Sequence, residues 1–357
     1  MSVALINLLI MALAIYVLAI ITDEFFVISL DQIAQKWKLP NSVAGASLMA
    51  IGSSAPELAI AMFSLFKEGG AHSDVGIGTI VGSAVFNILV ITGISAIVRP
   101  ARVTWLVAVR DCLIYTASII LLLVVFADGT ITMLESFAFL GLYTAYIFIL
   151  FQWDQFVPGE GMDVPDLVHE TVEVKLSGSE TNLFQTITKR VEQLIGFLAG
   201  DAHKSYIRAF LVSVLFIAGL SWVLVDSAVL FAEAVGIPPV IVALTILAGG
   251  TSVPDLISSV IVARQGRGEM AVANAVGSNI FDVLVGLGLP WLIAMVFQGA
   301  QIHVGTENLW LSVLILLATV VILFVFLTTH RLLSRFEGWI LLLVYAGYVV
   351  WTWLGGG

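Results

Sequence analysis

Two short motifs in this chain combine a proline with an acidic residue, and each could help to bind a cation. The first motif is Gly52-Ser-Ser-Ala-Pro-Glu57 and the second is Gly250-Thr-Ser-Val-Pro-Asp255. Proline lacks an N–H and clashes with the carbonyl four residues earlier, so we expect each helix to distort between the glycine and the proline. Freed carbonyls, hydroxyls and a carboxylate make an all-oxygen ligand set. Such a set suits hard cations such as Ca²⁺ and Na⁺ rather than transition metals.

A second pair of motifs supplies polar side chains to the same predicted pocket. The segment Val81-Gly-Ser-Ala-Val-Phe-Asn87 recurs as Val276-Gly-Ser-Asn-Ile-Phe-Asp282. The glycine and serine of each copy permit close helix packing, and the last residue follows the serine by four positions, on the same helical face. Three carboxylates in one dry pocket would repel one another, and bound cations would relieve that repulsion. We therefore expect a pocket in which Glu57, Asp255 and Asp282 converge with Asn87.

The composition places most of the chain in a membrane. Hydrophobic residues make up 60% of the 357 residues and charged residues only 11%, whereas a soluble domain has about 25% charged residues. The net charge of −10 argues against nucleic acid as a partner. The single cysteine, Cys112, excludes an internal disulfide and a cysteine-built metal site. We find no glycine-rich phosphate loop and no nucleophile–base pair, so we expect neither an enzyme nor an ATP-driven pump.

Apolar stretches long enough to cross a bilayer, which takes about 20 residues, occur ten times. They lie at 3–30, 41–66, 75–98, 104–126, 131–152, 205–233, 238–264, 269–297, 307–329 and 335–354. We therefore predict an all-α integral membrane protein with ten transmembrane helices. The predicted units are a first five-helix repeat (1–152, motif region 41–98), a polar loop (153–204) and a second five-helix repeat (205–357, motif region 238–297). Because five is odd, the second repeat enters the membrane from the opposite side, and such inverted repeats are typical of secondary transporters.

The basic residues predict the orientation of these spans. If the N-terminus is outside, every Lys and Arg except Lys67 falls on the cytoplasmic side, as the positive-inside rule requires. We therefore expect both termini outside, the 153–204 loop in the cytoplasm, and a plasma (inner) membrane location. The first twenty residues contain no Lys or Arg, so we interpret them as a retained span rather than as a signal peptide.

The paired motifs resemble the signature repeats of the cation/calcium antiporter superfamily. The likeness is greatest to the potassium-dependent sodium/calcium exchangers. It is carried by residues 23–26, 44–46, 52–58 and 72–89 in the first half and by residues 244–257 and 259–291 in the second. The resemblance implies a ten-helix antiporter that exchanges sodium for calcium by alternating access. It implies no tightly bound cofactor, only transported Ca²⁺ and Na⁺, with membrane lipid as surroundings and no obligatory protein partner.

The resemblance also assigns roles to individual positions. Glu57 and Asp255 match the central acids that contact calcium and compete for sodium. The residues that match other oxygen donors are Ser53 and Thr251 (carbonyl or hydroxyl), Ala50 and Ala248 (carbonyl), Ser54, Ser252, Ser83 and Ser278 (sodium-site hydroxyls), and Asn87 and Asp282 (polar partners).

Three questions stay open at this point. An aspartate at the position of Asp282 is tied to potassium dependence in the animal members, but some prokaryotic relatives carry an acid there without a known need for potassium. A proton/calcium antiporter is the alternative function, although such relatives usually have Glu in both central positions and this chain has Asp255. Finally, Asp23 and Glu24 either belong to an ion path or hydrogen-bond the bundle near the cytoplasmic end of the first span. For these two acids we favour the second interpretation.

Overall fold

The computed structural model describes residues 2–37, 50–70, 72–102, 105–156, 183–266, 268–299, 301–304, 309–330 and 332–356. In these ranges eight helices are long and apolar enough to cross a membrane. They are Val3–Ile33, Ser73–Val98, Trp105–Val125, Met133–Trp153, Tyr206–Val235, Gly268–Gln298, Trp310–Thr328 and Arg335–Gly355. A further pair, Pro239–Thr251 and Val253–Arg264, is bent by 44° and counts as a ninth candidate. The predicted helical, multi-pass membrane protein is thus confirmed.

The helices are numbered here in chain order. The first span consists of α1 (Ser2–Ile21), a π-helical turn (Thr22–Phe26) and α2 (Val27–Trp37). Of the second predicted span, residues 41–49 lie outside the described residues, and the rest forms α3 (Ala50–Ser53) and α4 (Ala55–Phe66). The third span is α5 (Ser73–Phe86), a π-helical turn (Asn87–Ile91) and α6 (Thr92–Val98). The fourth and fifth are α7 (Trp105–Val125) and α8 (Met133–Phe156).

The second half contains the remaining predicted spans. After α9 (Leu183–Ala199) comes the sixth span, α10 (Tyr206–Val235). The seventh span comprises α11 (Pro239–Val242), a π-helical turn (Ala243–Leu247), α12 (Ala248–Thr251) and α13 (Val253–Arg264). The last three spans are α14 (Gly268–Gln298), α15 (Trp310–His330) and α16 (Arg335–Trp351), which a π-helical turn (Thr352–Gly356) follows.

Both motif helices break where the sequence predicts. Ser54 (φ −93°, ψ 6°) separates α3 from α4, and Ser252 (φ −85°, ψ 0°) separates α12 from α13. The prolines that follow, Pro56 and Pro254, stand in the first turn of the next helix, where a missing N–H costs nothing. Each break therefore starts a new helix whose first turn carries an acid, Glu57 or Asp255.

Two hydrophobic clusters divide the helices into two groups. One cluster joins the first and sixth spans through residues such as Met11 and Leu18 of α1 and Leu224 of α10. The other cluster is larger and joins the second to fifth and the seventh to tenth spans around Tyr115 and Trp291. Burial of apolar surface thus couples α1 closely to α10, while the second and seventh spans contribute residues to both clusters and lie between them.

Short strand pairs tie the two halves together at the helix ends. Strand β1 (Ala101–Arg102) pairs with β4 (Leu332–Leu333), and β2 (Thr130–Ile131) pairs with β3 (Ile302–His303), both antiparallel. Strands β1 and β2 lie at opposite ends of α7, so the two pairs lie at opposite ends of the bundle. The loop after the third span therefore shares a face with the loop after the ninth, and the loop after the fourth shares the other face with the loop after the eighth.

The polar segment at 153–204 contains one element that the sequence analysis did not predict. Residues 157–182 lie outside the described residues, but helix α9 covers Leu183–Ala199. This helix packs on α1 and α10: the hydroxyls of Tyr16 and Thr188 are 2.5 Å apart, and the Arg208 guanidinium donates to the Leu198 carbonyl at 2.7 Å. Part of the polar segment is thus a helix that rests on the first and sixth spans.

Candidate cation site

The predicted ligand residues lie largely in the interior of the protein. Ten of the twelve are buried: Ala50, Ser54, Glu57, Ser83, Asn87, Ala248, Thr251, Ser252, Ser278 and Asp282. The other two, Ser53 and Asp255, are partly exposed. The two central acids therefore differ in their surroundings, because Glu57 is only 2% exposed and Asp255 has access to the surface.

Contacts between the repeats bring these residues to one place. The Ser83 and Ser252 hydroxyls are 2.8 Å apart although 169 positions separate them in the chain. The Asn87 amide faces the Ser278 hydroxyl at 3.4 Å. Gly82 makes this approach possible, because a Cβ at position 82 would stand 2.7 Å from the Cβ of Ala248. The third span, from the first half of the chain, therefore packs directly on the seventh span, from the second half.

The three acids lie near one another and near hydroxyl groups. The Glu57 carboxyl adjoins the Thr251 side chain, and the Asp282 carboxyl adjoins Ser54. Glu57 and Asp255 each act electrostatically on Asp282. Among the described residues, none of these three acids forms an ion pair. The three acids are thus neighbours without a basic partner in this part of the structure, and their convergence on one cation stays a prediction.

Several oxygens of this cluster have no hydrogen-bond partner. They are Ser53 Oγ, Glu57 Oε2, Asn87 Oδ1 and Asp282 Oδ1, all of them buried atoms. A buried oxygen without a partner is costly, and a cation in the pocket would satisfy it. No group of three His, Cys, Asp or Glu residues within the described ranges is close enough to hold one metal ion. A cation here would thus take part of its ligands from hydroxyl, amide and carbonyl oxygens, which Ca²⁺ and Na⁺ accept.

The backbone carbonyls of the motif helices are only partly free. Ala50 O accepts the Ser54 N–H at 3.0 Å, and Ala248 O accepts the Ser252 N–H at 3.2 Å. A carbonyl oxygen has two lone pairs, so Ala50 O could accept the Ser54 N–H and still bind a cation. Ala248 O also accepts the Thr251 hydroxyl at 3.4 Å, so a cation there would have to displace that hydrogen bond. Their assignment as carbonyl donors stays a prediction.

The sequence analysis missed one buried polar residue at the centre of the site. Asn279 is fully buried, accepts the Asn87 amide at 2.9 Å, and donates to the Ala84 carbonyl at 3.0 Å and to the Tyr115 hydroxyl at 3.1 Å. The available signal was the comparison of the two motifs, because Asn279 occupies the position at which the first copy has Ala84. These bonds fix the orientation of Asn87 and leave its Oδ1 without a partner.

Three π-helical turns lie next to this cluster. One begins with Asn87 (Asn87–Ile91), another directly precedes Ala248 (Ala243–Leu247), and the third (Thr22–Phe26) lies in the first span and packs against α3. Turns of this kind are rare and are often found at functional sites. Their position supports the assignment of the pocket as the functional centre.

The fold and the pocket together define a class of protein: a multi-pass helical membrane protein whose two related motifs meet at a buried acidic, all-oxygen cluster. A family model described as sodium/calcium exchanger protein matches residues 7–152 and 205–354. The chain therefore belongs to the sodium/calcium exchanger family. It is a transporter and not an enzyme.

Named relatives and solved structures agree with this placement. Mouse sodium/potassium/calcium exchanger 4 is 29% identical to this chain, and the match covers 94% of the chain and 79% of the relative. Human sodium/potassium/calcium exchanger 5 is 28% identical, with 90% and 76% covered. The crystal structure of the H⁺/Ca²⁺ exchanger CAX has a TM-score of 0.71 at 16% identity, with 97% of this chain and 82% of that chain covered. The sodium-calcium exchanger NCX_Mj has a TM-score of 0.55 at 21% identity, with 98% of both chains covered.

Proposed function

We propose that this protein exchanges sodium for calcium across a membrane, and that one pocket holds either calcium or sodium ions. The observation that carries the proposal is the group of three acids Glu57, Asp255 and Asp282. Glu57 and Asp282 are buried and each has one carboxylate oxygen without a partner, and none of the three acids forms an ion pair in the described part of the chain. Such a cluster is stable when cations fill it. Calcium then leaves only when sodium replaces it, which couples the two fluxes.

The ligand assignment is part of the proposal. Glu57 and Asp255 are the central acids, and Asn87 and Asp282 are their polar partners. The other donors are Ser53, Ser54, Thr251 and Ser252 beside the helix breaks, Ser83 and Ser278 on the third and eighth spans, and the carbonyls of Ala50 and Ala248. The contacts between Ser83 and Ser252 and between Asn87 and Ser278 support it, because each joins the two repeats.

The architecture that we propose is two inverted five-helix repeats, 1–152 and 205–357, joined by the 153–204 segment. The repeated helix breaks at Ser54 and Ser252 support it. The strand pairs also support it, because one pair joins the loop after the third span to the loop after the ninth, and the other joins the loop after the fourth span to the loop after the eighth. The basic residues support an orientation in which both termini are outside and the 153–204 segment is cytoplasmic. We propose the plasma (inner) membrane as the location.

Alternating access would come from the paired first and sixth spans. On one side, α10 packs along α4, and the Lys67 ammonium is 2.6 Å from the Asp226 carboxylate. On the other side α13 is less covered, with Val253 39% and Ile257 46% exposed and Asp255 partly exposed. A half-open apolar cavity between α4 and α10, lined partly by Ala55, Ala59 and Ala218, leaves room for sliding.

Calcium uptake into proteoliposomes tests the coupling directly. Vesicles loaded with sodium and diluted into sodium-free medium should accumulate calcium, and a sodium ionophore should abolish the uptake. A proton/calcium antiporter would instead respond to an imposed pH gradient without sodium, and that result would refute the proposal. Uptake without any gradient coupling would indicate a channel.

Substitution of the central acids tests the site. Glu57→Gln and Asp255→Asn should each abolish exchange, because each removes a charged ligand while it keeps the size of the side chain. Glu233→Gln is the matched control, since Glu233 lies in a span but is exposed. Wild-type exchange in either site variant would remove that residue from the ion site.

A second question within this function is whether potassium is carried as well. Asp282 contributes the third carboxylate of the pocket, and its Oδ1, which has no hydrogen-bond partner, could bind one more cation. We propose that potassium shares this part of the pocket. The relatives named as sodium/potassium/calcium exchangers favour this candidate over a pocket for sodium and calcium alone.

A further inference from the structure

The first span contains a π-helical turn to which the proposed transport cycle assigns no role. The π-helical turn Thr22–Phe26 carries two acids, Asp23 and Glu24, deep in a helix that is otherwise apolar between Ser2 and Ile21. Thr22 in the same turn is 2% exposed, and its Oγ1 has no hydrogen-bond partner. A π-helical turn widens the helix locally and displaces its side chains, which is why such turns are often found at functional sites.

The first span passes beside both helix breaks. The Ile15 side chain packs on Gly250, and the Val27 side chain approaches within 3.0 Å of where a Cβ of Gly52 would stand. The turn lies between these two contacts and itself packs against α3, which ends at Ser53. The first span thus passes along the pocket, and its acids are at the level of the two motifs.

Asp23 is close enough to Asp255 to act on it electrostatically. Both residues are partly exposed, whereas Glu57 and Asp282 are 2% and 1% exposed. Glu57 Oε2 and Asp282 Oδ1 are buried atoms without partners. The acids therefore form a partly exposed pair, Asp23 and Asp255, and a buried pair, Glu57 and Asp282.

We propose that Asp23 is a further cation-binding residue of this transporter, at the mouth of the pocket. Together with Asp255 it holds an entering Ca²⁺ or Na⁺ before the ion reaches Glu57 and Asp282. This inference rests on the proposed function, because it names an additional residue of the same ion path. It takes up the alternative that the sequence left open, in which Asp23 belongs to the ion path.

The test uses equilibrium binding of radioactive calcium to the purified full-length protein in sodium-free buffer, together with proteoliposome transport. Asp23→Asn should weaken calcium binding and raise the KM for calcium by about three- to tenfold, the effect expected when one negative charge near a divalent ion is removed. The turnover rate should change much less, because the buried pair remains. Asp23→Glu should restore most of the affinity.

Asp31→Asn is the matched control. Asp31 lies two helical turns further along the same span, and the Gln35 amide donates to its carboxylate at 2.8 Å. The same loss of charge at position 31 should leave calcium binding and KM unchanged.

The possible outcomes separate the two proposals. If the wild type exchanges sodium for calcium and Asp23→Asn has the same affinity and KM, only the role of Asp23 is refuted. A lowered thermal stability in Asp23→Asn with unchanged affinity, not rescued by Glu, would assign Asp23 a structural role and also overturn the inference. If the wild type binds calcium but does not exchange it for sodium, the proposed function fails while weaker binding in Asp23→Asn still supports Asp23. A wild type that binds no calcium overturns both.

Discussion

The close packing at Gly82 allows a sharp test of how the two repeats build the site. Gly82 of α5 lies against the π-helical turn Ala243–Leu247 and against α12. A Cβ at position 82 would stand 2.7 Å from both the Ala248 Cβ and the Leu244 carbonyl carbon, and closer still to the Leu244 oxygen. Ordinary contact begins at 3.4 Å, so the contact with the Leu244 oxygen requires Gly82→Ala to push the seventh span away by about 1 Å. Because backbone atoms are involved, no side-chain rotation can absorb the displacement.

The expected magnitude follows from that shift. Overpacking a well-packed helix contact costs about 1–3 kcal/mol, so the variant should fold but melt at a lower temperature. The shift also moves Ala248 and Ser252 relative to Ser83, which separates proposed ligands contributed by different repeats. A misplacement of about 1 Å at a functional centre can reduce a rate by about 100-fold. We therefore expect sodium-driven calcium uptake to fall by at least tenfold.

Gly277→Ala is the control that the repeat itself offers. Gly277 occupies the equivalent motif position in the second half, but no described residue lies within 4 Å of where its Cβ would stand. Uptake in proteoliposomes and thermal unfolding in detergent should be measured for both variants. Equal activity of Gly82→Ala and the wild type, or equal losses in the two variants, would refute the reasoning that contact between the repeats at Gly82 positions the ligands.

Three further predictions concern other contacts. Asp282→Asn should change the response of calcium uptake to added potassium if potassium shares the pocket, and an unchanged titration would exclude that role. Lys67→Met removes the ion pair with Asp226. Because the Asp226 side chain is half exposed, this pair is worth about 1 kcal/mol or less, so the ratio of the calcium KM values on the two sides of the membrane should shift by about fivefold at most. A constant ratio would show that the pair does not bias the conformation. Gly338→Ala should lower thermal stability by about 1–3 kcal/mol, since its Cβ would stand 2.5 Å from the Gly93 carbonyl oxygen; an unchanged melting temperature would contradict that close crossing of α6 and α16.

Much of the fold could be predicted because it depends on local chemistry. A bilayer requires long apolar helices, so the spans are visible as apolar stretches. The second predicted span is the exception, since only its part from Ala50 onward is described, and that part is divided at Ser54. The breaks at Ser54 and Ser252 were predictable in the same way, because proline imposes them whatever surrounds it. Helix α9 was missed because its polar and charged residues give the segment a low overall hydropathy, although one face packs on the first and sixth spans.

The same distinction holds for the candidate site, where local sequence was informative about residue types and uninformative about long-range contacts. The sequence by itself determined which side chains could bind a cation, since the repeated motifs and the lack of nearby basic residues identify Glu57, Asp255, Asp282 and Asn87. Only the tertiary structure decided how unequal these positions are. The hydrogen bonds of Asn279, the exposure of Asp255 and the proximity of Asp23 all depend on residues that are more than 150 positions apart in the chain. Neither motif spacing nor helical periodicity carries information at that range, because such contacts arise only when helices from both halves pack in three dimensions.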